Sequence, residues 1–137
     1  MFRGFRAVPL GRGRVEYQFR WLLGRPIHAI FDARRGRLTF TSLFPGVEAG
    51  SPMVSGLDAL VRSRADRRLP AHKRIDGRKA RVSRTIRHGE WSLVVTIRGV
   101  NHEYAVQGAL NLINELFLSL HEAWPEYLIQ RFGLSAE

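Results

Sequence analysis

Between residues 80 and 98 the chain alternates apolar and polar side chains in two successive runs. Ala80, Val82, Arg84 and Ile86 alternate with Arg81, Ser83, Thr85 and Arg87. After His88, Gly89 and Glu90, the residues Trp91, Leu93, Val95 and Ile97 alternate with Ser92, Val94, Thr96 and Arg98. A period of two sends successive side chains to opposite faces of a strand, so this pattern predicts a β-hairpin. One face is apolar and has to be covered; the other carries Arg, Ser and Thr and faces water or a partner.

The rest of the chain supplies more strands and the cover. Val15, Tyr17, Phe19 and Trp21 alternate with Glu16, Gln18 and Arg20, and Gly24 and Pro26 end that run. Ile27 to Ala33 and Arg37 to Phe44 read as a second hairpin, with Gly36 at a turn position that favours positive φ. Ser51 followed by Pro52 opens a helix: serine caps the first free N–H groups, and proline fits the first helical position. Val54, Leu57, Leu60 and Val61 share one face of that helix, and Asp58 and Arg62 are spaced to pair on the other. A long helix carries Val106, Ala109, Leu110, Ile113, Leu116, Phe117 and Leu120 on one face, widened by Leu112 and Leu118. Such a breadth of apolar surface suits burial against the sheet or against a second copy. Pro125 ends it, and a short helix to Phe132 stops at Gly133.

The expected fold class is therefore α+β: a five-stranded antiparallel sheet, element order β-β-β-α-β-β-α-α, with the helices packed on one face. Residues 1–14, MFRGFRAVPLGRGR, keep no steady period and are expected to form a flexible basic arm, leaving 15–137 as a single α+β domain. The element order over residues 15–122 is loosely similar to that of the type III secretion chaperones. That resemblance implies a dimer that holds an unfolded protein segment. It departs from the chaperones in two respects: they begin with a helix, and they are typically acidic.

Charge is where this chain is unusual. It carries 22 Lys+Arg against 12 Asp+Glu, a net of +10 in 137 residues, and all but Lys73 and Lys79 of the basic side chains are arginine. The excess is unevenly placed. Residues 1–98 hold 21 basic and 7 acidic side chains, a net of +14, whereas residues 99–137 have a net of −4. The densest stretch, 62–87, holds 11 basic residues against Asp66 and Asp76. Leu69, Ile75, Val82 and Ile86 punctuate it, which places it in a folded region rather than a solvated tail. The nine cations expected to form an anion-binding surface are Arg62, Arg64, Arg67, Arg68, Lys73, Arg74, Arg78, Lys79 and Arg81. Two alternatives stand beside it: an evenly charged coat, or internal pairing with the acids of residues 103–126.

Other chemistries find less support. The chain has no cysteine, which excludes disulfides, thiolate metal sites and a cysteine nucleophile, and fits a reducing, cytoplasmic setting. His28, His72, His88, His102 and His121 are scattered without ligand spacing, so no metal and no cofactor are expected. No G-x-S-x-G elbow is present. Gly11-Arg12-Gly13-Arg14 precedes a strand, whereas a phosphate loop follows one and opens a helix. Asp32 reads as a turn residue rather than a general base. An enzyme would need His72, His88, His102, Asp32 and Glu103 to converge in a pocket. No apolar run is long enough to span a membrane, and residues 1–20 lack the apolar block of a signal peptide.

The expected function is a non-enzymatic, homodimeric basic binding module whose Arg-rich segment 62–87 meets nucleic acid or another polyanion, an acidic protein included. The alternative is a homodimeric protein-binding or chaperone-like module that uses the sheet face and the long C-terminal helix.

Overall fold

A computed structural model describes residues 3–20, 26–71 and 73–132 of the chain. The roles expected for Trp21, Gly24, His72 and Gly133 lie outside these residues. The elements run β1 (Arg3–Gly11), β2 (Arg14–Arg20), β3 (Pro26–Asp32), β4 (Arg37–Phe44), α1 (Pro52–Ser63), β5 (Ala80–Arg87), β6 (Glu90–Ile97), α2 (His102–Ala123) and α3 (Pro125–Phe132). The α+β class and the antiparallel sheet are as the sequence predicts, but the sheet has six strands rather than five. The additional strand, β1, lies within the segment expected to be an arm and pairs antiparallel with β2. Its turn, Gly11-Arg12-Gly13, has positive φ at all three residues.

The strand order is β1-β2-β3-β4-β6-β5, so β5 is an edge strand and β6 sits between it and β4. Register aligns the apolar side chains across the sheet. Tyr17 pairs with Ala29, Ala29 with Phe40 and Phe40 with Leu93. In the hairpin, Val82 faces Val95 and Ile86 faces Trp91, with His88 and Gly89 turning the chain. Gly36 has φ +60 as expected, and a Cβ there would come within 2.9 Å of the Ile97 carbonyl oxygen.

Ser51 caps α1 by accepting the Val54 N–H at 3.2 Å, with Pro52 in the first turn. α1 packs its Val54, Leu57 and Val61 into a cluster that includes Trp91, Leu93 and Val95 of the sheet. α2 adds Ala105, Ala109, Leu112, Ile113, Leu116 and Leu120, all buried. The centre of the apolar face of α2 is thus covered within the chain, while Val106, Leu110 and Phe117 are half-buried and Leu118, 56% exposed, is left outside. α3 returns to the core through Leu128, and Phe117 meets both Phe44 and Phe132 edge to face.

The expected Asp58–Arg62 pair gives way to a tertiary one. Asp58 receives two hydrogen bonds from Arg84 of β5, at 2.8 and 2.7 Å, and one from the Trp91 indole N–H at 3.2 Å. Arg84 shares the inner sheet face with Val82 and Ile86, so a charge there needs a carboxylate from the covering helix. The contact raises the Arg84 pKa, mainly through these hydrogen bonds.

Leu116 has no exposed surface, so Leu116→Ala is expected to cost about 2–5 kcal/mol in urea unfolding. Leu118→Ala on the exposed side of the same helix should stay within about 0.5 kcal/mol.

Candidate anion-binding cleft

Between α1 and β5 the chain crosses residues 64–79 without regular structure, and buried contacts fix that path. Ile75 is 4% exposed and packs into the core. A Cβ at Gly108 of α2 would lie only 3.2 Å from the Ile75 side chain, so glycine allows this close approach. The Tyr104 hydroxyl of α2 accepts the Asp76 N–H at 2.9 Å and donates to the Arg74 carbonyl oxygen at 3.3 Å. Arg64, only 6% exposed, reaches Glu115 of α2 at 2.6 Å and donates to the Lys73 carbonyl oxygen at 3.2 Å. Its Nε has no partner. Backbone bonds add to this, the Ile75 N–H donating to the Arg64 carbonyl oxygen at 2.8 Å.

This path encloses a cleft of about 830 Å³ at the β5 edge of the sheet. Arg62 and Ala65 at the end of α1 form one side. Arg67, Arg74 and Arg78 from the connecting segment, Arg81 from β5 and Arg98 just beyond β6 complete the ring of cations. Arg98 is held there by its N–H, which donates to the Lys79 carbonyl oxygen at 2.9 Å. Among the described residues six guanidiniums thus surround the cleft, and Asp76 is the one acid on its lining.

Of the nine residues singled out in the sequence, Arg62, Arg67, Arg74, Arg78 and Arg81 line the cleft. Arg64, Arg68, Lys73 and Lys79 do not. Arg64 is spent on Glu115, as above. Arg68 folds back on Asp66, its Nε and Nη2 each 3.2 Å from a carboxylate oxygen. Lys79 places its ammonium 4.7 Å above the Tyr104 ring, a cation–π contact. Lys73 is exposed. Arg98 escaped the sequence reading because it lies outside the dense stretch. The hairpin register held the signal, since pairing Ala80 with Ile97 sets Arg98 beside Lys79.

The local acids decide which arginines remain available. Hydrogen bonds from Arg78 hold the Asp76 carboxyl down at about 2, and those from Arg68 depress Asp66. Among the described residues the guanidiniums of Arg62, Arg67, Arg74, Arg81 and Arg98 have no carboxylate partner within 4.0 Å, and Arg74 donates instead to the Arg67 carbonyl oxygen at 3.2 Å. The acidic C-terminal third neutralises the basic segment through one described ion pair, Arg64–Glu115. No aromatic side chain appears on the described cleft lining.

Other candidate residues are dispersed. His88 turns the β5–β6 hairpin at the end of β6 opposite His102, and Asp32 accepts the Arg34 N–H at 3.1 Å. Among the described residues no group of three His, Asp or Glu is placed to hold a metal ion. No described helix is long and apolar enough to cross a membrane. The chain matches no family model, no curated protein and no solved structure.

Glu115→Ala leaves the Arg64 guanidinium buried without its counter-charge and should cost about 2 kcal/mol, discounted for the partial exposure of Glu115. Arg64→Met, which keeps the packing and removes the charge, should cost less in the same urea titration.

Proposed function

We propose that this chain is a non-enzymatic binding module that holds a polyanion, nucleic acid first among them, in the arginine cleft at the β5 edge. The observation that carries the reading is convergence: six arginines from α1, the connecting segment, β5 and the end of β6 surround one recess with a single acid. All of their guanidiniums but that of Arg78 lack a described carboxylate partner, and those of Arg62, Arg67, Arg81 and Arg98 make no described side-chain bond at all, so a phosphate-rich ligand meets unspent charges. With no aromatic ring on the described lining, stacking of bases finds no support there. The reading is therefore of backbone contacts, indifferent to base sequence.

The test is affinity for a mixed-sequence oligonucleotide across a salt series. Four phosphate contacts should give a slope of log K against log salt of roughly −3. Arg67→Glu and Arg98→Glu should each weaken binding roughly tenfold, while Arg87→Glu, the same charge change at the far end of β5, should alter it less than about twofold. Equal weakening by all three would mean a diffuse coat and would sink the cleft. Tight, salt-dependent binding of an acidic protein in place of the oligonucleotide would redirect the reading to that partner.

Cleft charge should also be steady with pH. Asp76, held at about 2 by Arg78, is ionised above that value, and no histidine is on the described lining. Its folded pKa is depressed, so the stability it contributes is present above the ordinary carboxylate range and lost as pH falls toward about 2. Affinity should change less than about twofold from about pH 5 to 9.

A further inference from the structure

Cover on the inner sheet face is incomplete. α1 packs against β5, and α2 against β5 and β6, with neither helix backbone close to β1, β2, β3 or β4. Over β2, β3 and β4 this leaves a second recess of about 570 Å³, bounded by the strands on one side and by Val106 and Leu110 of α2 on the other. It shares no residue with the arginine cleft.

Three observations say what it takes. First, its floor is shielded although the recess opens to solvent: Phe19, Ala29, Leu38 and Phe40 line it yet are each no more than 6% exposed. A face awaiting a second copy of the chain would leave such residues accessible, whereas a recess of this volume is in the range of small-molecule sites. Second, register places Ala29 between Tyr17 and Phe40, so the smallest side chain of the row leaves a gap among aromatic rings. Third, the lining is apolar apart from Tyr17 and His102, and exposed His102, which opens α2, stands edge to face with Phe31, ring centroids 5.6 Å apart. The surrounding body of the chain, residues 1–98, has a net charge of +14, which favours an anion over a cation.

We propose that this recess binds a small, largely apolar aromatic molecule with one anionic group, its ring over Ala29 and its acid at His102. Ring edges and faces of Phe19, Phe31 and Phe40 match an aromatic guest, and the imidazole supplies the hydrogen bond that fixes its direction.

The probe is 8-anilinonaphthalene-1-sulfonate, followed by fluorescence and by amide chemical shifts of the full chain. Saturable binding of about one probe per chain is expected, with shifts at Ala29, Phe31, Leu38 and Val106. His102→Ala should weaken it roughly tenfold. Ala29→Leu fills the gap and should abolish binding while oligonucleotide affinity stays unchanged, which separates this site from the cleft. Should Ala29→Leu not fold, Val106→Trp narrows the recess from the half-buried helix side with the same expected loss. Unchanged probe binding in whichever of these variants folds would overturn the proposal. So would shifts centred on Leu118 and Trp124, or probe binding that vanishes as the chain self-associates in sedimentation, which would assign the recess to a second copy.

Discussion

The apolar inner face of a six-stranded sheet is wider than the two helices that cover it, and the rest of the molecule follows from how that mismatch is met. α1 and α2 are both committed to the β5–β6 side, where the strongest alternation in the sequence demands them. There the core is closed, with Trp91, Leu93 and Val95 fully buried beneath Leu112, Ile113 and Leu116. On the β2–β4 side the floor stays apolar but the helices do not reach across it, and a recess remains. Placing α1 over an edge strand also brings its C-terminal end, with Arg62, to the rim of the sheet.

Electrostatics then selects among the arginines. Within the basic segment 62–87, four acids take four cations out of circulation: Asp58 with Arg84, Asp66 with Arg68, Asp76 with Arg78, and Glu115 with Arg64. Two of these pairs join residues two apart and shape the connecting segment locally, since each carboxylate also accepts the partner's backbone N–H. The other two are tertiary and fix α1 to β5 and the basic segment to α2. Asp58 matters twice, because by turning to Arg84 and the Trp91 indole it leaves Arg62, its neighbour one helical turn on, without a carboxylate partner among the described residues. Exposed pairs contribute little to stability, but here they determine which guanidiniums face the cleft unpaired.

Much of the secondary structure was legible because it is written in short-range patterns. The β5–β6 alternation, the Ser51-Pro52 helix start, the Gly36 turn and the apolar stripe of α2 each depend on neighbours within a few residues. β1 was missed because Pro9 and Gly4 interrupt any period, which an edge strand tolerates since one of its sides needs no partner. The Gly11-Arg12-Gly13 turn was its one local signal. The cleft was only partly legible. Density of charge pointed to the right segment, yet whether Arg64 would be buried or Arg98 recruited depends on Glu115 and on strand register, both remote in sequence. The second recess left no trace in composition, because its residues read individually as core.

The first turn of α2 is where these two regions meet. Tyr104 points to one side, its hydroxyl bridging the Asp76 N–H and the Arg74 carbonyl oxygen, and its ring underlies Lys79. His102 and Val106 line the apolar recess on the other. Adjacent positions on a helix point about 100° apart, so a few residues can serve both surfaces without crowding either. Asn101 ahead of them makes no side-chain cap and donates to the Arg98 carbonyl oxygen at 2.7 Å instead, which ties the start of α2 to the residue that closes the arginine ring. The position of that turn is therefore set from both sides at once: by polar bonds to the basic segment and by packing against the sheet.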